Sequence, residues 1–427
     1  MTELLKGLGR RQFLAGGMLL PLALGSLRAS AKTAPHVVIV GGGFAGATAA
    51  RYLARWLPDV HVSLVLGRDR YWTCPFSNLA VIGLRSLDSL EVRRDQLASG
   101  NITLVPLEAR DFDPHRRTLR LEGGRTLSFD RLILAPGIEV MPEAIDGHGQ
   151  DAVDTFPHAW QAGPATDHLA RRLSAVPDGG LVIISVPEGP YRCPPGPYER
   201  ASLMAWWLAR HRPRAKLIML DANASFTKEA LFKSHWREAH PQRLSWFGRN
   251  DDGQLRRVDA RRGRVHTDFE DYRPDLACVI PPQRAAAIAR IADLDGGRGW
   301  CSVDARTFAS TVHPNVHVIG DAAIANPMPK SAFAAASQAR ICAAAIAAEF
   351  SGRGPPDALL TNTCYSLLTP EKAIAVTGSY RGTRHGIQTL PGSGGTSPLQ
   401  APSSLRETEA GHARGWYASA RAEAFGD

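Results

Sequence analysis

Apolar positions along the chain fall into short β-branched runs that alternate with longer stretches of helical periodicity. His36–Val40 is the first run, an unbroken apolar stretch of the kind that forms a strand buried on both faces. It enters a glycine cluster at residues 41–46, and residues 47–56 then read as a helix. A second strand is predicted over residues 61–66. The middle of the chain repeats this order, with strand Leu181–Val186, helix 199–211, strand Lys216–Asp221 and a further apolar strand at 276–280. Late in the chain, residues 316–319 read as a strand and the alanine-rich stretch 331–350 as a helix. After Gly352-Arg353-Gly354-Pro355-Pro356 the pattern turns to alternation over 364–368 and 373–377, which predicts a small sheet. Residues 391–402, rich in glycine, serine and proline, read as a long loop, and Ser404-x-x-Glu407 as the cap of a last helix.

Strands alternating with helices predict an α/β fold built on parallel sheets. The order implies two Rossmann-like dinucleotide-binding domains, the first split in sequence, and a small C-terminal α+β cap. The expected boundaries are a leader at 1–31, a first cofactor domain at 32–146 and 286–354, a second Rossmann-like domain at 147–285, and the cap at 355–427. A chain of 427 residues accommodates this at about 100–200 residues per domain.

Gly41-Gly42-Gly43-Phe44-Ala45-Gly46 matches G-x-G-x-x-G, and its place between a strand and a helix makes it a dinucleotide fingerprint. The glycines let backbone N–H groups approach a pyrophosphate at the helix N-terminus. One customary element is missing. The second strand should end in an acid for the ribose hydroxyls, yet it ends Val65-Leu66-Gly67, and the nearest acid is Asp69. Gly320-Asp321, between a strand and the 331–350 helix, is arranged as in many two-dinucleotide-domain flavoproteins. There the aspartate receives ribityl hydroxyls and the helix dipole faces the flavin, so FAD is the expected cofactor; a capping aspartate at an αβ turn is the plainer alternative. In the second domain the corresponding turn reads Arg192-Cys193-Pro194-Pro195-Gly196-Pro197-Tyr198-Glu199. Its three prolines lack the N–H donors of a phosphate cradle, so NAD(P)H should bind poorly there.

Charge adds a compartment. Lys and Arg outnumber Asp and Glu by 50 to 41, a net +9, of which residues 1–31 hold +3 through Lys6, Arg10, Arg11 and Arg28 against Glu3. The remaining +6 is dispersed, which is not a nucleic-acid footprint. Arg10-Arg11 precedes an apolar stretch at 13–27 and then Ala29-Ser30-Ala31, the pattern of a twin-arginine export signal. That stretch is too short and too broken by Gly16, Gly17 and Pro21 to span a bilayer. A periplasmic mature protein without membrane insertion is expected. Export makes disulfides possible among Cys74, Cys193, Cys278, Cys301, Cys342 and Cys364, whose pairing the sequence does not choose. With no C-x-x-C and no C-x-x-C-H, neither a zinc ribbon nor a haem on this chain is expected, and no metal site.

The segments 193–200 (CPPGPYER), 280–284 (IPPQR), 319–331 (IGDAAIANPMPKS) and 362–366 (NTCYS) together resemble the flavoprotein subunit of flavocytochrome c sulfide dehydrogenase. Its wider relatives are sulfide:quinone oxidoreductases and type II NADH dehydrogenases. The resemblance implies a redox disulfide beside the flavin, matching Cys193 and Cys364, that takes electrons from sulfide. It implies a thioether from Cys74 to the flavin and a c-type cytochrome partner carrying the haem. Glu199 is then a candidate for tuning the thiol or relaying a proton, although an acid in a first helical turn also suits the macrodipole. Lys330 is a candidate for favouring anionic flavin or sulfide, and Phe333 and Trp416 are candidate aromatics at the flavin edge. Cys278 and Cys342 read as core. Arg381 and Arg384 are candidates for the cytochrome rim. Two other functions stay open: a quinone reductase, and a flavin electron-transfer subunit that does not oxidise sulfide.

Overall fold

The computed structural model describes residues 34–149 and 152–426. The export segment at 1–31 lies outside the described residues. Seven α-helices are present among them: α1 (Phe44–Trp56), α2 (Ser77–Val81), α3 (Pro164–Ser174), α4 (Gly196–His211), α5 (Glu229–Ala239), α6 (Ala332–Phe350) and α7 (Ser403–Phe425).

Two parallel sheets carry the architecture, as the alternating pattern predicts. The first has the order Val316–Val318, Arg131–Leu134, His36–Val40, His61–Val65, Ile102–Val105, so a late strand closes a sheet built mostly from the first third of the chain. The second has the order Leu244–Phe247, Lys216–Asp221, Leu181–Val186, Leu276–Val279. Their central strands are buried on both faces, which is why they read as continuous apolar runs. An antiparallel pair, Ile138–Val140 with Gln283–Ala285, joins the two crossings between the sheets.

Close packing explains the small residues. A Cβ on Gly46 would stand 1.8 Å from the Gly41 carbonyl oxygen, and one on Gly41, whose φ is +103°, 2.3 Å from that of Ala135. Only glycine lets the loop pass this close to the neighbouring strand. The alanine faces of α1 and α6 pack directly on one another, and Ser331 caps α6 by accepting from Ala334 N at 3.0 Å.

The cap is larger than the alternation suggests. Strands Ala358–Thr369 and Lys372–Thr383 form one long hairpin, so Cys364 lies mid-strand, opposite Val376. The 391–402 loop contributes a short edge pairing, Gly395–Thr396. The last helix begins at Ser403, and its expected cap is not made: Pro402 holds the cap position and Ser403 Oγ donates to Glu407 Oε1 at 2.7 Å. Ala410, Ala413, Tyr417, Ala420, Ala424 and Phe425 of α7 turn inward. Phe425 packs on Phe44 at 5.0 Å between ring centres, and Tyr417 shares a 2.5 Å hydrogen bond with Thr73, beside Cys74.

Candidate active site

The first strand delivers the glycine loop to the N-terminus of α1. No side chain caps this helix and its first turn holds no acid, so its N–H groups are free for an anion. A Cβ on Gly43 would meet nothing within 4 Å, so the loop faces open space. Across the sheet, Gly320 N donates to Gln338 Oε1 at 2.8 Å, while the buried Oδ1 of Asp321 has no partner. Burial raises the Asp321 pKa, against the pull of Arg192 and Lys330. An uncapped helix end and an orphaned buried acceptor fit a ligand that brings phosphates at one end and hydroxyls further along. Leu66 stands where the ribose acid is customary, its side chain beside Gly42. Asp69 does not replace it, being paired with Arg94 at 2.6 Å.

Lys330 donates to the carbonyls of Asp321 and Ala323 at 2.7 and 2.8 Å and lies over the Trp300 ring at 3.9 Å. It braces the turn that presents Asp321, and burial pulls its pKa down to about 8.

Cys193 follows strand Leu181–Val186 at the tip of the turn into α4. Its backbone is left-handed, φ +56°, uncommon for a non-glycine residue and held by two hydrogen bonds: its N–H donates to Lys330 O at 2.7 Å and its carbonyl accepts from Gly196 at 2.8 Å. A Cβ on Gly196 would stand 3.0 Å from Cys193 Sγ and 2.8 Å from the Trp160 ring, so the turn must have glycine there. Cys364 is buried in the cap hairpin, and Asn362 Nδ2 donates to its sulfur at 3.3 Å. Burial, then the neighbouring Cys364 and Glu199, push the Cys193 thiol up, against Arg192 and Lys228. The turn and the hairpin thus bring the two cysteines, 171 positions apart in the numbering, within electrostatic reach. The expected bridge is not formed: all six cysteines are free thiols.

Glu199 does more than suit a helix dipole. Its Oε1 accepts from Asn78 Nδ2 at 2.9 Å and its Oε2 from Leu367 N at 3.0 Å, tying α4 to α2 and to the Cys364 strand. Burial raises its pKa, while these two hydrogen bonds, Lys228 and Arg200 lower it. Cys74 donates weakly from Sγ to Trp160 O at 3.8 Å, and Arg192 donates to the same carbonyl. The Cys74 loop and the Cys193 turn therefore meet at Trp160.

Residues 166–281 match the family described as sulfide dehydrogenase [flavocytochrome c] flavoprotein chain, central, and residues 356–425 match flavocytochrome c sulphide dehydrogenase, flavin-binding. The sulfide dehydrogenase [flavocytochrome c] flavoprotein chain of Chlorobaculum thiosulfatiphilum is 52% identical over 43 residues, 10% of this chain and 90% of that one. The chain belongs to the flavocytochrome c sulfide dehydrogenase flavoprotein and sulfide:quinone oxidoreductase superfamily. Residues 35–175 also match the pyridine nucleotide-disulphide oxidoreductase family. The mitochondrial sulfide:quinone oxidoreductase of Mus musculus is 24% identical over 334 residues, 73% of this chain and 70% of that one. The fold is shared with the sulfide:quinone oxidoreductase structure from Aquifex aeolicus, at a TM-score of 0.71 and 17% identity over 91% and 92% of the two chains.

The second parallel sheet carries a buried acid of its own. Asp221, the acid that ends the second strand of that sheet, is fully buried. It accepts from Tyr198 OH at 2.7 Å, Trp246 Nε1 at 2.9 Å and Asn223 N at 2.9 Å. Tyr198 stacks on Phe226 at 3.7 Å, so aromatic side chains fill the space around the acid. Phe333 and Trp416, read as flavin-edge aromatics, stack on one another at 5.9 Å. Arg381 pairs with Asp357 on the surface.

Two buried cations escape sequence reading. Arg200 is 2% exposed and donates to His158 O, to Ala159 O at 3.0 Å, to Asn78 Oδ1 at 2.9 Å and to Cys278 Sγ at 3.2 Å. Cys278 is therefore a polar contact as well as a core residue; Cys342 is core alone. Lys228 is 7% exposed and donates to Cys364 O at 2.9 Å and Ser366 Oγ at 2.7 Å. Arg200 lies inside the CPPGPYER segment but its direction was not legible there, and nothing around Lys228 in the sequence marks it.

Proposed function

We propose that this chain is the flavoprotein subunit of a periplasmic sulfide dehydrogenase that passes electrons to a c-type cytochrome. The observation that carries the reading is the cluster of Cys193, Cys364, Glu199 and Lys228 at one buried place, with a dinucleotide cradle beside it. Once Cys193 and Cys364, free thiols in this structure, are oxidised to a disulfide, hydrosulfide attacks one of its sulfurs. One S–S bond forms and one breaks, leaving a persulfide on one cysteine and a thiolate on the other. Glu199, its pKa raised by burial, would take up the persulfide's S–H proton. Gly41, Gly42, Gly43, Phe44, Ala45 and Gly46 would hold the FAD pyrophosphate, Gly320 and Asp321 the ribityl chain, and Cys74 the ring, with Lys330 bracing the Asp321 turn. FAD when bound supplies a two-electron acceptor that hands electrons on singly. The prolines and the internally bonded Asp221 support exclusion of a nicotinamide donor.

Cytochrome is favoured over quinone because α7 keeps its apolar face against the flavin domain rather than offering it to a membrane. Among the described residues no helix is long and apolar enough to cross a membrane. The twin-arginine segment supports export.

The test is an anaerobic titration. Sulfide is expected to bleach the flavin near stoichiometry while NADH leaves it oxidised, and the reduced protein is expected to reduce a c-type cytochrome faster than a soluble quinone. Bleaching by NADH would overturn the reading of the second slot, and a preference for quinone would overturn the acceptor. A second expectation concerns Cys74. Acid-precipitated protein should keep its flavin in the pellet, and the Cys74→Ala variant should release it to the supernatant. Free flavin from the unaltered protein would exclude the thioether.

A further inference from the structure

Lys228 is placed at a cost that its surroundings do not explain. It occupies the cap position of α5 with a left-handed backbone, φ +64°, where Ser, Asp, Asn or Gly is usual. Its ammonium is buried with only uncharged acceptors in contact: Cys364 O, Ser366 Oγ and, at 3.5 Å, Ile374 O. Bridging two strands of the hairpin needs a donor, not a charge. A buried cation without an ion-pair partner is expensive unless an anion arises beside it.

The groups that would supply one converge on it. Cys193 approaches from the turn before α4, Glu199 from α4, Cys364 from the first hairpin strand and Glu409 from α7, and each favours the charged lysine. Glu409 is paired with Arg406, whereas Glu199 is bonded to neutral donors, Asn78 and Leu367 N, and makes no direct ion pair with Lys228. Only the sulfurs gain charge in the reaction. Hydrosulfide enters as an anion, and opening the disulfide leaves one negative charge on a buried sulfur.

We propose that Lys228 is a positioning residue for the sulfur reaction, holding a fixed positive charge beside both cysteines that stabilises the thiolate released when the disulfide opens. The inference rests on the disulfide reading given above. It extends that reading by assigning the charge that makes a buried thiolate an acceptable leaving group.

Burial brings the Lys228 pKa down to about 8, with the cysteines and Glu199 acting against that fall. The charge is therefore present below that pH and lost above it. The experiment mixes oxidised holoenzyme with sulfide, quenches with acid and an alkylating agent, and counts opened Cys193 and Cys364 by peptide mass. Rates are expressed per hydrosulfide ion across pH 6 to 10. In the unaltered protein the rate should fall as pH rises toward about 8, because bridged cysteines no longer help to hold the lysine's charge. Lys228→Arg, which stays charged, should extend the plateau past that point. Lys228→Gln should open its disulfide on the order of 10–100-fold more slowly at neutral pH and show no fall near it.

A Lys228→Gln variant with the rate and profile of the unaltered protein overturns the proposal. So does a loss shared equally by both variants with the fall unmoved, since that marks a purely structural contact. If Lys228→Gln does not fold, the Lys228→Arg profile decides alone: a fall kept at the original pH overturns the proposal. An unaltered protein whose disulfide sulfide does not open refutes the parent reading instead.

Discussion

Cys193→Ser and Cys364→Ser each reduce sulfide-driven bleaching of the flavin by at least ~10³-fold, because neither serine can form or leave as half of a disulfide. The two changes together cost about as much as either alone, since the sulfurs act as a unit. Dithionite, which needs no cysteine, still reduces the flavin in all three variants. Cysteines that act only structurally predict a different result: lowered stability and near-normal bleaching by sulfide. The measurement is stopped-flow flavin absorbance under anaerobic conditions, with the thermal midpoint recorded beside it. Retention of more than about a tenth of the rate in either single variant would remove the disulfide mechanism.

Arg200→Met lowers stability by on the order of 3–5 kcal/mol, the range for stripping a buried cation from several acceptors at once. The guanidinium fork reaches carbonyls at 158 and 159, the amide of Asn78 and the sulfur of Cys278, and its plane lies 5.1 Å from the Trp160 ring centre. Methionine matches the volume approximately but leaves the Ala159 carbonyl without a donor and that of His158 with only the weak Cys278 thiol donor at 3.6 Å. Arg200→Lys should recover only part of the loss, because an ammonium cannot reproduce the fork. The effect should also reach the sulfur site: Asn78 holds Arg200 with its oxygen and Glu199 with its nitrogen, so freeing one end loosens the other. Denaturant unfolding followed by tryptophan fluorescence gives the magnitude, and a loss below ~1 kcal/mol would show that these contacts are replaceable by water.

Particular residues separate what was readable from what was not. Gly41 and Gly46 could be assigned from sequence because their constraint is local: backbone passes backbone within a few residues, and only glycine fits. Gly320-Asp321 could be located from sequence because its turn follows a strand at once and a short loop leads on to the helix. The start of α7 shows the limit even for local signals, since a cap-like Ser404-x-x-Glu407 is passed over in favour of a cap two residues earlier, at Pro402.

Glu199 sits between these cases. Its position in the first turn of α4 was evident, yet that position suits a dipole contact equally well. Its bonds to Asn78 and Leu367 come from segments 121 and 168 residues away. Asp221 could be seen as an acid ending a strand, but that it is consumed by Tyr198, Trp246 and Asn223 depends on where α4 and the edge strand fold.

By itself, then, the sequence determined the two parallel-sheet units, the glycine cradle with its partner aspartate, the altered second slot and the cysteines worth testing. Each of these follows from periodicity or from turn chemistry confined to a few neighbouring residues. The tertiary structure alone decided that Glu199 and Lys228 gather at Cys193 and Cys364, a pair the sequence offered only through family resemblance, and that Arg200 locks Asn78 and Cys278 together. Those contacts arise where a turn, a hairpin and several helices converge across large separations in the chain. No local period encodes such a meeting; it follows from how the sheets order their strands and from which polar groups must find partners once water is excluded.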